Sequence, residues 1–146
     1  MTARTAPLVK EVAQAAGTDS PPAERLGRVM TVLFAASADE ALCQLWMEGW
    51  SRARRSKGLR LELAWIREQL RLSVEELLSA GMRDGTFRAD LDPGVMAAVI
   101  LGAADGLLLQ SANQGGPVPA ERLADTLQRA VLRNPAEPRR PLTDGA

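Results

Sequence analysis

Between Gly85 and Gln110 the chain reads GTFRADLDPGVMAAVILGAADGLLLQ, a helix stop, a helix cap and an apolar helix in direct succession. Gly85 is the residue type that closes a helix in the left-handed conformation. Asp92 offers an oxygen to the free N–H groups of the next helix, and Pro93 fits its first turn. The following helix is almost wholly apolar to Leu109, and Asp105 is the only charged residue between Pro93 and Asn113. A surface helix keeps polar residues on one side. This one asks for burial on most faces, which a single small bundle does not easily supply.

The rest of the chain fits a helical interior. A length of 146 residues suits one domain and buries about two-thirds of the unfolded surface. Hydrophobic residues make up 46%, yet with three Trp, two Phe and no Tyr the core must rest on Leu, Ala, Val and Met, a helix-forming mixture. The pattern predicts an all-α fold, a bundle of six helices.

The first helix spans about Ala6 to Ala16 and stops at Gly17. Asp19 or Ser20 caps a second, reaching about Ala36 through Leu26, Val29, Met30, Leu33 and Phe34. Ser37 and Glu40 form an S-x-x-E capping box before a third, whose apolar stripe is Leu42, Leu45, Trp46, Gly49, Trp50 and Ala53. Arg52, Arg54, Arg55 and Lys57 then fall where cations meet the negative end of the helix dipole, a structural role that competes with phosphate binding. The fourth helix, about Lys57 to Arg83, is the longest. Leu59, Leu63, Ile66, Leu70, Val74 and Leu77 give it one apolar face, which Leu61, Trp65 and Leu72 widen. Helix five covers about Pro93 to Ser111. Gly115, Gly116 and Pro117 break the chain, and a sixth helix runs from Pro119 to about Arg133 with Leu123, Leu127 and Val131 inward. Residues 135–146 read as a disordered tail.

The passage GTFRADLDP, with DGL near the end of the helix it opens, resembles the C-terminal half of TetR-family transcriptional regulators. Leu42 to Arg55, LCQLWMEGWSRARR, looks like that family's sixth helix, and Pro7 to Gly17 like the start of its fourth. The likeness spans roughly residues 6–134. It implies that residues 1–17 are the remnant of a connecting helix and 18–134 a ligand-binding and dimerisation domain, with the family's upstream helix-turn-helix missing. Val9 to Gly17 superficially resembles the first helix of such a motif. The residues after it, however, lead into AERLGRVMTVLFAA, acidic at its start and apolar beyond, and not into a basic recognition helix.

Composition narrows the chemistry. No histidine is present, which removes the commonest general base and metal ligand. Cys43 lies among apolar helix residues without a base, and the adjacent pairs Asp39–Glu40 and Glu75–Glu76 diverge around their helices. The chain therefore reads as no enzyme, with neither cofactor nor metal. Eighteen basic residues balance eighteen acidic ones, so the excess positive field that favours nucleic acid is lacking and no DNA contact is expected of this chain alone. With no leader and no uncharged run of membrane-spanning length, it reads as soluble and cytoplasmic, with no membrane partner.

Two sets of residues suggest binding. Met30, Leu33, Phe34, Trp46, Trp50, Trp65, Met96 and Ile100 come from several helices and either fill the core or line a cavity for a hydrophobic small-molecule effector. Asp105 faces that cavity, bonds across a dimer seam, or sits partly solvated near its helix end. The second set is a homodimer seam. Ala98, Gly102 and Gly106 let helices approach closely, with Leu123, Leu127 and Val131 of helix six alongside, giving a self-complementary four-helix contact. The family commonly pairs this way. The alternative to a headless regulator is a free-standing helical module that pairs with a full-length one.

Overall fold

A computed structural model describes residues 2–17, 19–113 and 118–136. Six α-helices follow in order: α1 Thr2–Ala16, α2 Pro22–Ala35, α3 Glu40–Ala53, α4 Lys57–Arg83, α5 Pro93–Asn113 and α6 Ala120–Val131, with a short 3-10 turn at Ala36–Ala38. All-α, six-helix architecture is thus what the apolar periodicity specifies. The expected chain break at Gly115–Pro117 and most of the predicted tail lie outside the described residues.

Local signals fix most helix ends. Gly85 adopts φ 81°, the one positive φ among the described residues. The Asp92 carboxylate accepts the Val95 N–H at 3.1 Å and opens α5. Three starts differ from the sequence reading, the first being α1, which begins at Thr2 and not at Ala6. At α2 the flanking residue is Pro21, with no side-chain cap, so Asp19 and Ser20 stay upstream. At α3 the cap is Asp39, accepting from the Leu42 N–H at 3.0 Å. Ser37 instead donates to the Phe34 carbonyl at 2.7 Å, because the 3-10 turn places its hydroxyl over the end of α2. Ser56, unread in the sequence, caps α4 through the Leu59 N–H.

α2 and α4 form the middle of the bundle. α2 packs on α1, α4, α5 and α6, and α4 on α1, α2, α3 and α5. Leu26, Val29 and Met30 of α2, Val74 and Leu78 of α4, and Ile100 and Ala97 of α5 are fully enclosed. Val12 of α1 joins the same core, so the segment read as a connecting remnant is part of one packed unit. Cys43 is buried with its thiol near the Ala36 and Ser37 carbonyls, and burial pushes its pKa up, consistent with an inert packing role.

α6 lies across α2, where the Gln128 amide donates to the Ala23 carbonyl at 2.7 Å. Its C-terminal end is stitched to the α4–α5 connection by an antiparallel bridge between Phe87 and Leu132. The Arg88 N–H donates to the Val131 carbonyl at 2.9 Å and the Arg133 N–H to the Thr86 carbonyl at 3.1 Å. Val131 is fully buried by these contacts.

Among the described residues α5 is the one helix long and apolar enough to span a membrane, 21 residues with mean hydropathy 1.7 in its most apolar window. Only 33% of that window is buried within the chain. Its circumference is divided. Ala97, Ile100, Leu101, Ala104, Leu107 and Leu108 face the core, while Val95, Ala98, Val99, Gly102 and Leu109 are exposed.

Candidate functional site

A cavity of about 50 Å³ opens between α1, α2, α3, α4 and α5. α4 supplies Leu63, Ile66, Arg67 and Leu70, four positions on one helical face. Opposite them α5 contributes Leu101, Ala104, Asp105 and Leu108 from successive turns. Trp46 and Trp50, one turn apart on α3, close a third side with ring centroids 6.1 Å apart and planes inclined by 57°. Leu8 and Leu33 complete the wall from α1 and α2.

Polar groups in this lining are few. Arg67 donates to the Asp105 carboxylate across the α4–α5 contact. The Asp105 side chain is 26% exposed, and burial raises its pKa even though the Arg67 guanidinium opposes the shift. Trp46 is 8% exposed, and its indole N–H is buried without a hydrogen-bond partner.

The residues nominated from sequence divide into three groups. Leu33, Trp46, Trp50 and Asp105 line the cavity together. Met30, Phe34 and Ile100 are enclosed in the core and do not reach it, and Met96 packs partly buried against that core. Trp65 lies outside, 55% exposed, in an outward stripe with Leu61 and Leu72. Its place follows from helix geometry: Leu61, Trp65 and Leu72 are four and seven residues apart and share a face that points away from Ile66 and Leu70. Nine lining residues were not nominated, Arg67 and Leu8 among them. The signal for Arg67 was a charge inside the apolar pattern Leu63, Ile66, Leu70.

The nominated seam residues also separate. Ala98 and Gly102 are exposed and Gly106 half-buried, all on the outer face of α5. A Cβ placed on Gly102 or Gly106 meets nothing within 4 Å, so no contact inside the chain requires these glycines. Val131 is committed to its own core, and Leu123 and Leu127 pack partly buried against it. The α6 part of the expected seam is therefore largely spent within the chain, because the strongly amphipathic α6 turns its apolar side to α2.

No group of His, Cys, Asp or Glu among the described residues is arranged to hold a metal. The basic run after α3 is dispersed: Arg52 pairs with Glu48 at 3.7 Å, while Arg54 and Arg55 are exposed. Arg60, from the next helix, caps the end of α3 through the Ala53 carbonyl at 3.1 Å.

Residues 22–134 match the family described as BetI-type transcriptional repressor, C-terminal, and the chain belongs to that TetR-type family. Its fold is similar to the solved structure of the ketosteroid transcriptional regulator KstR2 of Mycobacterium tuberculosis, with TM-score 0.66 at 18% identity over 87% of this chain. The chain spans 66% of that regulator's length. No curated protein sequence matches significantly.

Proposed function

We propose that this chain is the effector-binding and dimerisation unit of a cytoplasmic TetR-type regulator. One observation carries the reading: the two faces of α5 do different work. Leu101, Ala104, Asp105 and Leu108 line the cavity, while Val95, Ala98, Val99, Gly102 and Leu109 make an exposed apolar face with small residues at its centre. A second copy covers that face, and Gly102 and Gly106 let the two backbones come close. A molecule entering the cavity then presses on the helix that carries the seam. Its effect on the dimer equals the difference in its affinity for the two α5 positions.

The homodimer seam is α5 against its symmetry mate, centred on Ala98, Gly102 and Gly106. DNA reading lies outside the function of these residues. α2, where a recognition helix would follow α1, is buried along Leu26, Val29, Met30 and Leu33 and has no free basic face. The test is sedimentation of the purified chain with and without a panel of small apolar molecules. A dimer whose melting temperature rises with at least one of them is expected. A monomer at tens of micromolar, indifferent to the whole panel, defeats the reading.

A further inference from the structure

The corner where α3 passes into α4 takes no part in the cavity wall or the α5 seam. It carries five cations within nine residues: Arg52, Arg54, Arg55, Lys57 and Arg60. Two of them are engaged, Arg52 with Glu48 and Arg60 with the Ala53 carbonyl. Arg54, Arg55 and Lys57 form no ion pair among the described residues, and residues 54–58 are exposed without exception.

An apolar ridge stands next to these charges. Leu61 and Trp65 follow Lys57 at four-residue intervals, so the three share one side of α4. Leu61 is 62% exposed and Trp65 55%. A leucine and a tryptophan left together in water beside free cations have the composition of a contact surface.

We propose that this corner is a peripheral membrane contact, in which Arg54, Arg55 and Lys57 meet the phosphates of an anionic bilayer while Leu61 and Trp65 enter the headgroup layer. Charge complementarity favours that partner. Of the nearby carboxylates, Glu48 is taken by Arg52, Glu68 by Arg71, and Glu62 is half-buried. Shape favours it too, because a projecting helix corner rests on a broad surface, whereas an apolar peptide helix needs a groove to lie in. The indole, an apolar ring with one N–H, suits the layer between phosphates and acyl chains. Such a contact needs neither a leader nor a spanning helix, the two features on which the expectation of no membrane partner rests.

The test is co-sedimentation of the full chain, at low salt, with vesicles of equimolar phosphatidylglycerol and phosphatidylcholine, beside vesicles of phosphatidylcholine alone. The chain should pellet with the first and stay in solution with the second. Replacing Arg54, Arg55 and Lys57 together by Gln should weaken binding about a hundredfold, at ~1 kcal/mol for each cation near an anionic surface. All three positions are exposed, so circular dichroism should show an unchanged fold. Brominated lipid should quench the tryptophan emission of the parent, and Trp65→Phe should still pellet while losing most of that quenching. Equal binding to the two kinds of vesicle, or binding undiminished in the Gln variant, overturns the proposal. Quenching that survives in Trp65→Phe places the contact elsewhere on the molecule and overturns it as well. A chain that ignores both vesicles yet is retained by soluble polyphosphate has a polyanion site here and no bilayer contact. The effector and dimer readings stand or fall separately, since neither uses this corner.

Discussion

The Phe87 ring rests directly on the backbone of Gly81. A Cβ at position 81 would come within 2.1 Å of the Phe87 ring, and the Phe87 N–H donates to the Gly81 carbonyl at 2.9 Å. The ring is 1% exposed. A glycine inside a 27-residue helix is therefore the seat of the side chain that anchors the next loop.

Gly81→Ala should destabilise the chain although alanine is the better helix former. Propensity returns up to about 1 kcal/mol, whereas displacing a buried ring from a close-packed seat costs about 1–3 kcal/mol, so the balance falls against the variant. Thermal unfolding by circular dichroism should give a Tm lower by roughly 2–6 °C. A Tm equal to or above the parent's would show that the ring has room to slide.

Placing a charge on the outer face of α5 tests the seam without touching the core. Val99 is 46% exposed, so Val99→Arg should leave the fold of a single chain within about 0.5 kcal/mol of the parent. Two symmetry-related arginines on facing helices repel and lose apolar burial. Light scattering should report a dimer for the parent and a monomer for the variant at tens of micromolar. Equal masses for the two proteins would remove α5 from the interface.

The pH dependence of Asp105 runs opposite to that of Glu68 and Asp90. Burial raises its pKa above the ordinary 3.8, so the folded chain holds the proton at pH values where the unfolded chain has lost it. Stability from this group is full below 3.8 and is lost as pH rises through the raised, folded-state value. Asp105→Asn should therefore be at least as stable as the parent at pH 7, with the difference shrinking as pH falls through that window. Glu68 and Asp90, held below their usual range by Arg71 and Arg88, lose stability on acidification in both proteins and cancel in the comparison. A variant melting below the parent at pH 7 reverses the sign.

The purified chain should not retard its own upstream duplex DNA in a sequence-dependent way. Its formal net charge is zero and the exposed residues of α2, Glu24, Arg28, Thr31 and Ala35, include one cation, which pairs with Glu24 at 3.8 Å. Specific retardation in a mobility-shift assay at 200 mM salt would contradict this.

What was legible in the sequence follows from what is local. Gly85, Asp92 and Pro93 act on neighbouring backbone groups, so the α4 stop and the α5 start are written where they occur. The apolar spacing of Leu63, Ile66, Leu70, Val74 and Leu77 likewise fixes the inner face of α4. Trp65 shows the limit. A bulky residue beside a stripe reads as part of it, yet each helical residue turns about 100°, and Trp65 lies on the water side of Ile66. The Ser37 hydroxyl had two partners within reach, and only the 3-10 turn decides between them. Arg67 with Asp105, 38 residues apart, is a contact of packed helices and Phe87 with Leu132 a bridge between a loop and the residue after α6, and no short-range pattern records either.

The bridge between Phe87 and Leu132 has a consequence for how the molecule opens. α6 contributes nothing to the cavity wall, and its ends are held by α2 and by the loop seated on Gly81. Residues 84–88 and 120–133 should therefore open together as one unit while α1, α3, α4 and α5 keep the cavity walls in place. In hydrogen exchange, α6 amides and the Phe87 N–H should report one common opening energy, and a molecule bound beside Trp46 should slow exchange in α3 and α5 while the terminal unit breathes at its former rate.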